Sequence, residues 1–463
     1  MRNIIREIET KYPVAEISIN GTQVWSYLRM VYYFRYHARM SSENRERRTY
    51  SKSRLSDGFR MLRACLYGFT DWFGKYDFIA IAPANDRRQL NGRYFNRLVD
   101  PIIDEIGPGR VLLIEDPAPD HYSVRQVHTK RIVSSAILML TSLLLRKVVL
   151  RHPRIEKLSL LQEIQHEYGL KIDDMMAIRA MEAGRRIFTL IFRVFKPRCV
   201  FVSDYYSHMA AIRAANDLGI MTVEIQHGYI GDEHPAYTAY TELNRSFFPG
   251  YLLAFGKNDL DAFDNSRFID PDHVYPVGNY YIDYVKNNFK PEPDLLQRFA
   301  GYRRIVAITL LLGMEKRLME FICRAASLDN TIYYVVIPRV IDSYLSDLRL
   351  PDNVSIIKGR NFYELMMYMD FHSTIYSTCA VEAPAMGVQN ILINIDNEAK
   401  RYYEEMLAER RITRFVETPE EYVDTINSFE RLDRNTVCKL SEYLIAPDYE
   451  ANIRKFIKAE FAL

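Results

Sequence analysis

Along two separate tracts of this chain, short apolar runs rich in β-branched residues alternate with helical stretches of roughly ten to fifteen residues, and that alternation most restricts the fold. In the first tract the runs are Tyr76–Pro83, Arg110–Asp116, Arg198–Asp204, Met221–Gln226, Tyr251–Phe255 and His273–Gly278. In the second they are Arg304–Leu311, Thr331–Pro338, Val354–Gly359, the strand-to-loop passage Phe371–Ser377, and Asn390–Asn394. Runs without polar alternation belong to strands buried on both faces, which means parallel sheets covered by helices. The pattern therefore predicts an α/β protein of two Rossmann-like domains facing each other across a cleft, with extra helices at the N-terminus. The predicted divisions are 1–278, 279–445 and a C-terminal helix over 446–463 that crosses back, with a hinge near Gly278–Pro293. A length of 463 residues supports two domains, since single cores stop growing near about 300.

Helices are expected at Ser207–Leu218, Met314–Ala326, Phe362–Tyr368 and Ala380–Met386, and broadly from Val127 to Phe195. Asn85–Gly107 reads as a polar loop entering a helix. The aromatic residues Trp25, Tyr27, Tyr32, Tyr33 and Phe34 read as core. Asp173-Asp174 reads as a helix cap.

A net charge of only +2 gives no reason to expect nucleic acid. Five scattered cysteines, with no Cys/His cluster, point to a reduced, cytoplasmic protein and to no metal. The charged opening MRNIIREIETKYPVAEI lacks a secretory pattern. The uncharged run Ile132–Leu145, between Lys130-Arg131 and Arg146-Lys147, is shorter than the about 20 residues that span a bilayer. It reads first as a buried core helix and second as an interfacial one whose basic flanks meet anionic lipid. Together with nine Lys/Arg between Arg35 and Arg63, it raises peripheral contact with the inner face of an anionic membrane as an expectation.

In doubly wound folds, ligands sit beyond the carboxyl ends of strands. Three passages lie there. In Glu224-Ile-Gln-His-Gly-Tyr-Ile-Gly-Asp-Glu-His-Pro-Ala-Tyr237, a buried run delivers Gln226 and His227 to a strand end, where Gly228 is expected to permit a tight turn. His227 is a candidate general base or phosphate contact, and His234 a residue that orients the loop. Asp204 is a candidate base as well as a helix cap. In the second tract, Ser373, Thr374, Ser377 and Thr378 precede a helix starting near Cys379, an arrangement suited to a diphosphate, with Glu382 one turn in for ribose hydroxyls. Capping alone is the competing reading of that cluster.

Neither G-x-x-x-x-G-K-[ST], G-x-G-x-x-G nor G-x-S-x-G occurs, which disfavours P-loop NTPases, dinucleotide enzymes and α/β-hydrolases. No Asp-x-Asp follows a strand, so metal-independent chemistry without a cofactor is the simplest expectation.

The passages Glu224-Ile-Gln-His-Gly and Val277-Gly-Asn-Tyr-Tyr-Ile-Asp283 resemble those of bacterial capsule and surface-polysaccharide glycosyltransferases of the GT-B type, and more distantly CDP-glycerol glycerophosphotransferases. The resemblance spans roughly Cys199 to Asn394. It implies that His227 lies in the cleft, that Gly278 and Asp283 mark the crossover, and that Ser377, Thr378 and Glu382 face the donor nucleotide. One departure stands out: related transferases often carry His-Pro where this chain has Ile337-Pro338-Arg339, which leaves Arg339 as a phosphate contact. The implied activity is sugar transfer from a nucleotide-sugar donor, a substrate and not a cofactor, to a glycan or lipid-linked glycan acceptor. Asp86-Arg-Arg and Gly92-Arg-Tyr are candidate acceptor contacts. A nucleotide-sugar 2-epimerase and a non-catalytic assembly scaffold are the rival expectations.

Overall fold

The computed structural model describes residues 3–43, 54–117, 120–150, 153–228, 230–231, 234–261, 268–311, 313–339, 345 and 348–463, with backbone only at 40–43 and 54–59. Part of the basic stretch from Arg35 to Arg63 lies outside the described residues, as do Tyr229, Asp232 and Glu233. The chain forms two compact units. The first comprises Met1–Ala254, Asp259–Pro276 and Glu450–Leu463; the second comprises Phe255–Asn258 and Val277–Tyr449.

The first unit is built on β1 (Phe78–Pro83), β2 (Val111–Asp116), β3 (Ile132–Ser134), β4 (Cys199–Val202), β5 (Met221–Ile225), β6 (Tyr251–Ala254) and β7 (Val274–Pro276). All are parallel, in the order β7-β6-β5-β4-β1-β2-β3. The second unit carries β8 (Arg304–Thr309), β9 (Ile332–Ile337), β10 (Val354–Ile356), β11 (Phe371–Ser373), β12 (Gln389–Ile393) and β13 (Thr413–Val416). These are parallel too, in the order β10-β9-β8-β11-β12-β13. In both sheets the first strand is central, the next strands step outward on one side, and the chain then crosses over. That is the doubly wound order, with its switch point between β1 and β4 in one unit and between β8 and β11 in the other.

Burial explains the runs. Phe78–Ala82 and Ile332–Val336 are buried at every position, as strands covered on both faces require. Ile79, Ile81, Leu112, Ile114, Val200 and Val202 form the centre of the first core. A second cluster gathers Ile4, Ile8, Trp25, Leu28 and Tyr32 from the N-terminal helices with Leu161 and Ile164. Phe34 is an exception to the expected aromatic core, being exposed. Asp173 caps the helix Asp174–Phe195 by accepting from Met176 N at 2.9 Å.

The final helix, Tyr449–Phe461, is tied to the first unit. Tyr275 Oη donates to Glu460 Oε1 at 2.5 Å, Arg198 donates to Phe461 O at 2.9 Å, and the Phe78 and Phe461 rings meet at 5.0 Å.

Three readings of the sequence need correction. Val127–Phe195 is not wholly helical: β3 interrupts it, and Ile155–Glu156 pairs with Ser18–Ile19. The apolar run therefore enters as a strand, and its helix covers only Ala136–Leu145, with Ala136 alone fully buried, so it is no core helix. Asn85–Gly107 is not a plain loop. Arg87–Leu90 and Arg93–Asn96 form a hairpin whose turn, Asn91-Gly92, has positive φ at both residues (49° and 76°). That is the twist a two-residue hairpin turn needs, and Asn-Gly is its signature.

Candidate functional site

In the first unit, polar groups collect where the strands end. Asp86 closes the turn after β1, Asp116 ends β2, and Asp204 follows β4. His208, almost fully buried, lies 3.4 Å from Asp116, and Arg97 lies 3.9 Å from Asp86. Asp204 caps the turn Tyr205–Ser207, accepting from Ser207 N at 3.3 Å and from Ser207 Oγ at 2.6 Å. Its capping role is thus explicit in the geometry.

His227 follows β5. Its Nε2 meets Tyr206 Oη at 3.0 Å, and its Nδ1 is buried with no hydrogen-bond partner among the described residues. Burial lowers the imidazole's pKa from its ordinary value, against the opposing pull of the Asp204 and Asp86 carboxylates. A neutral ring at neutral pH can accept a proton, and an unpartnered buried nitrogen is the kind of atom a ligand satisfies. Gln226 is structural in its visible bonds: its side-chain amide donates to Gly228 O at 3.0 Å, and its N–H to Leu253 O. Gly228 has no positive φ, and the place of its missing Cβ is open space. His234 accepts from Ala236 N at 3.2 Å, which orders its own loop.

In the second unit the expected hydroxyl cluster splits in two. Ser373 and Thr374 are fully buried; Ser373 Oγ pairs with Tyr422 Oη at 2.7 Å and Thr374 Oγ1 donates to Thr309 O at 3.0 Å. Both hydroxyls are occupied within the core. Beside them His372 spans Thr309 Oγ1 and Asn390 Oδ1, and burial lowers its pKa to about 4. Ser377 and Thr378, half-buried, stand beyond the end of β11. Ser377 Oγ accepts from Cys379 N at 3.3 Å, capping the helix Cys379–Ala385. Thr378 Oγ1 makes no hydrogen bond among the described residues. Arg339, exposed after β9, is close enough for its charge to act on the Cys379 thiol, which burial pushes up to about 12. Glu382 is buried and accepts from Tyr363 Oη at 2.5 Å.

Gly278 has φ of +94°, and a Cβ there would lie 2.2 Å from Ala446 O, so no other residue fits without backbone movement. Asp283 Oδ2 accepts from Tyr449 N at 2.9 Å. Both residues hold the segment where the chain leaves the second unit.

No family model and no curated protein sequence matches the chain. Solved structures do resemble it. The glycotransferase of kitacinnamycin superposes with a TM-score of 0.53 at 12% identity, covering 83% of this chain and 99% of that one. CalG4, the calicheamicin glycosyltransferase, gives 0.50 at 13% identity, covering 84% and 98%. A UDP-N-acetylglucosamine 2-epimerase gives 0.50 at 13% identity, again covering 84% and 98%. The chain has the GT-B fold.

Within this GT-B chain, several groups at strand ends carry no motif: Asp116, His208, and the loop before helix Glu315–Leu328, where Gly313 has φ of +87° and its N–H donates to Glu315 Oε2 at 2.6 Å. The strand-end rule alone could have found them, since each follows a run already read as a strand. Among the described residues no group of three or more His, Cys, Asp and Glu is arranged to hold a metal ion, and no helix is long and apolar enough to cross a membrane.

Glu224, inside β5, is fully buried; its Oε1 accepts from Tyr237 Oη at 2.8 Å and Tyr205 N at 3.4 Å, while Oε2 has no hydrogen-bond partner among the described residues. Burial raises its carboxyl pKa from 4.5 to about 8. The folded protein therefore holds a proton that the unfolded chain releases. Stability is fully present below pH 4.5 as far as this group goes, and falls as pH rises through that window to about 8. Glu224→Gln is expected to flatten that decline, which urea unfolding at a series of pH values would measure; an unchanged slope would show the group is ionised when folded.

Proposed function

We propose that the second unit binds a nucleotide sugar and that the protein transfers its sugar to a bacterial surface-polysaccharide acceptor. The observation that supports this most is the switch point of the second sheet. There Ser377 and Thr378 follow the carboxyl end of β11, and Arg339 follows that of β9 on the same edge of the sheet, in a fold shared with glycosyltransferases and nucleotide-sugar epimerases. In this reading Thr378, Ser377 and the adjoining backbone N–H groups contact the diphosphate, and Arg339 adds a paired guanidinium contact. Glu382, joined to Tyr363, acts through the packing beneath that loop. In the first unit His227 or Asp204 takes the proton of the acceptor hydroxyl. The acceptor oxygen forms a bond to the anomeric carbon as the bond to the nucleotide diphosphate breaks, and the diphosphate leaves with the electron pair. Asp86, Arg97 and Asp116 lie on the same strand-end surface as His227 and Asp204, and contact the acceptor.

A 2-epimerase is the second reading, favoured by the equal structural likeness to a UDP-N-acetylglucosamine 2-epimerase. Incubating the protein with UDP-, CMP-, GDP- and CDP-linked sugars, with and without lipid-linked glycan, separates the two. Nucleotide released only with acceptor is the expected result. Conversion of the sugar without acceptor would replace transfer by epimerisation, and no turnover of any donor would remove both.

A further inference from the structure

More than half of the exposed large apolar side chains among the described residues fall on three short stretches of the first unit: 62–73, 139–148 and 190–194. Phe73, Leu66, Leu144 and Val194 are 78%, 72%, 70% and 68% exposed. These stretches are neighbours. Helix Ala136–Leu145 packs along both Arg54–Cys65 and Asp174–Phe195, the turn Phe69–Phe73 packs on β3, and the Trp72 and Phe195 rings meet at 6.4 Å. The turn that carries Phe73 is also anchored on β3. Gly68, with φ of +64°, lies so close to Ile132 O that no Cβ could be placed there, and Asp71 accepts from Ile132 N at 3.1 Å. An exposed apolar face on ordered elements marks a surface that another body covers.

Charge identifies that body. Arg63, Lys75, Lys147, Arg193 and Lys196 are exposed on or beside the same elements, and none has an ion-pair partner among the described residues. The nearby acids are already engaged, Asp71 with Arg131 at 3.2 Å and Glu182 with Arg185 and Arg186, each at 2.8 Å. A face that joins apolar tips to unpaired cations matches a bilayer surface, with acyl chains for the first and anionic headgroups for the second. The placement suits it. Phe73 and Val194 lie on the segments that enter β1 and β4, at the amino ends of the strands, whereas His227 and Asp204 lie beyond the carboxyl ends of theirs. This edge of the unit can therefore be covered while the strand-end groups remain open.

We infer that the face formed by Leu66, Phe73, Leu144, Val148, Leu190 and Val194, with its rim of unpaired lysine and arginine, docks on the surface of an anionic lipid bilayer. The docking is independent of the nucleotide-sugar reading, and its test uses no nucleotide, so the two fail separately. Co-sedimentation of the full chain with vesicles of phosphatidylcholine, or of phosphatidylcholine and phosphatidylglycerol in equal parts, is the experiment. Binding to the anionic vesicles alone is expected, weakening as salt rises. Leu144→Asp with Val194→Asp should weaken binding at least roughly tenfold, as should Lys147→Glu with Arg193→Glu. Leu296→Asp, at an exposed apolar residue of the second unit, should leave it unchanged. Unaltered thermal unfolding of the variants shows that they fold. No binding to anionic vesicles, or binding that both double variants retain, overturns the proposal. So does a concentration-dependent dimer in sedimentation velocity that Leu144→Asp dissolves, which would make a second copy the occupant.

Discussion

Replacing His227 by alanine is expected to lower nucleotide-sugar turnover by about 10²- to 10⁴-fold, the range for a positioned general base, while nucleotide affinity stays within a factor of about two. The reasoning rests on where the ring sits. It lies at the end of a buried strand, Tyr206 meets its Nε2 at 3.0 Å, and burial keeps it neutral at neutral pH. If the proton instead goes to Asp204, the decisive variant is Asp204→Asn. Asparagine caps helices as well as aspartate does, so the turn over Tyr205–Ser207 should survive while basicity is lost. The two variants together assign the base, because the group that acts loses turnover without loss of fold. Rate against pH adds a second reading: with His227 as base, the acid limb lies below the ordinary imidazole range, in keeping with its lowered pKa.

The largest expected effect on stability comes from a residue far from any strand end. Arg29 and Glu9 form an ion pair at 2.7 Å with both side chains fully buried. Glu9 also accepts from Trp25 Nε1 at 3.0 Å and from Tyr240 N at 2.9 Å, and Arg29 donates to Pro235 O and to Thr238 O. The pair thus joins the N-terminal helices to the segment that follows His227. Arg29→Ala leaves a buried carboxylate without its partner, a change that costs about 3–5 kcal/mol. Urea unfolding should show the first unit's transition shifted by that amount and the second unit's unmoved. The double variant Arg29→Met/Glu9→Gln should recover much of the loss, because no uncompensated charge remains. If the single variant proves nearly neutral, the pair does not anchor the segment.

How much of this was legible in the sequence depended on periodicity. Runs such as Phe78-Ile-Ala-Ile-Ala and Ile332-Tyr-Tyr-Val-Val declare a strand buried on both faces, and their alternation with helices led directly to two parallel sheets. In the Ile132–Leu145 run, apolar content alone does not separate strand from helix. Ser134 and Ser135 divide the two, and the helix that follows turns most of its apolar groups outward. The Asn91-Gly92 hairpin carries a local signal, the dipeptide of a two-residue turn, between short strands rich in arginine. Strand β13 and the helices Pro419–Ser428 and Arg434–Leu440 give weak sequence signals, their patterns being short and broken by charge.

The site divides in the same way. Asp204, His227, Ser377 and Thr378 can be placed at strand ends from the sequence, because each follows an apolar run. Ser373 and Thr374 were grouped with them by composition, and only burial reveals that their hydroxyls are occupied by Tyr422 and Thr309. No pattern of residue types could have exposed the Arg29–Glu9 pair, whose members lie twenty residues apart and whose backbone partners at Pro235, Thr238 and Tyr240 lie more than two hundred further along the chain.

Binding of a nucleotide sugar by the second unit is the central proposal. Thermal unfolding with UDP-, CMP-, GDP- and CDP-linked sugars in turn tests it most directly, since a ligand at a hundred times its dissociation constant stabilises by about 2.7 kcal/mol. One nucleotide class should raise the second unit's transition, and Ser377→Ala with Thr378→Ala should abolish the rise. An unmoved transition with every donor, or a rise that the double variant keeps, would contradict the account.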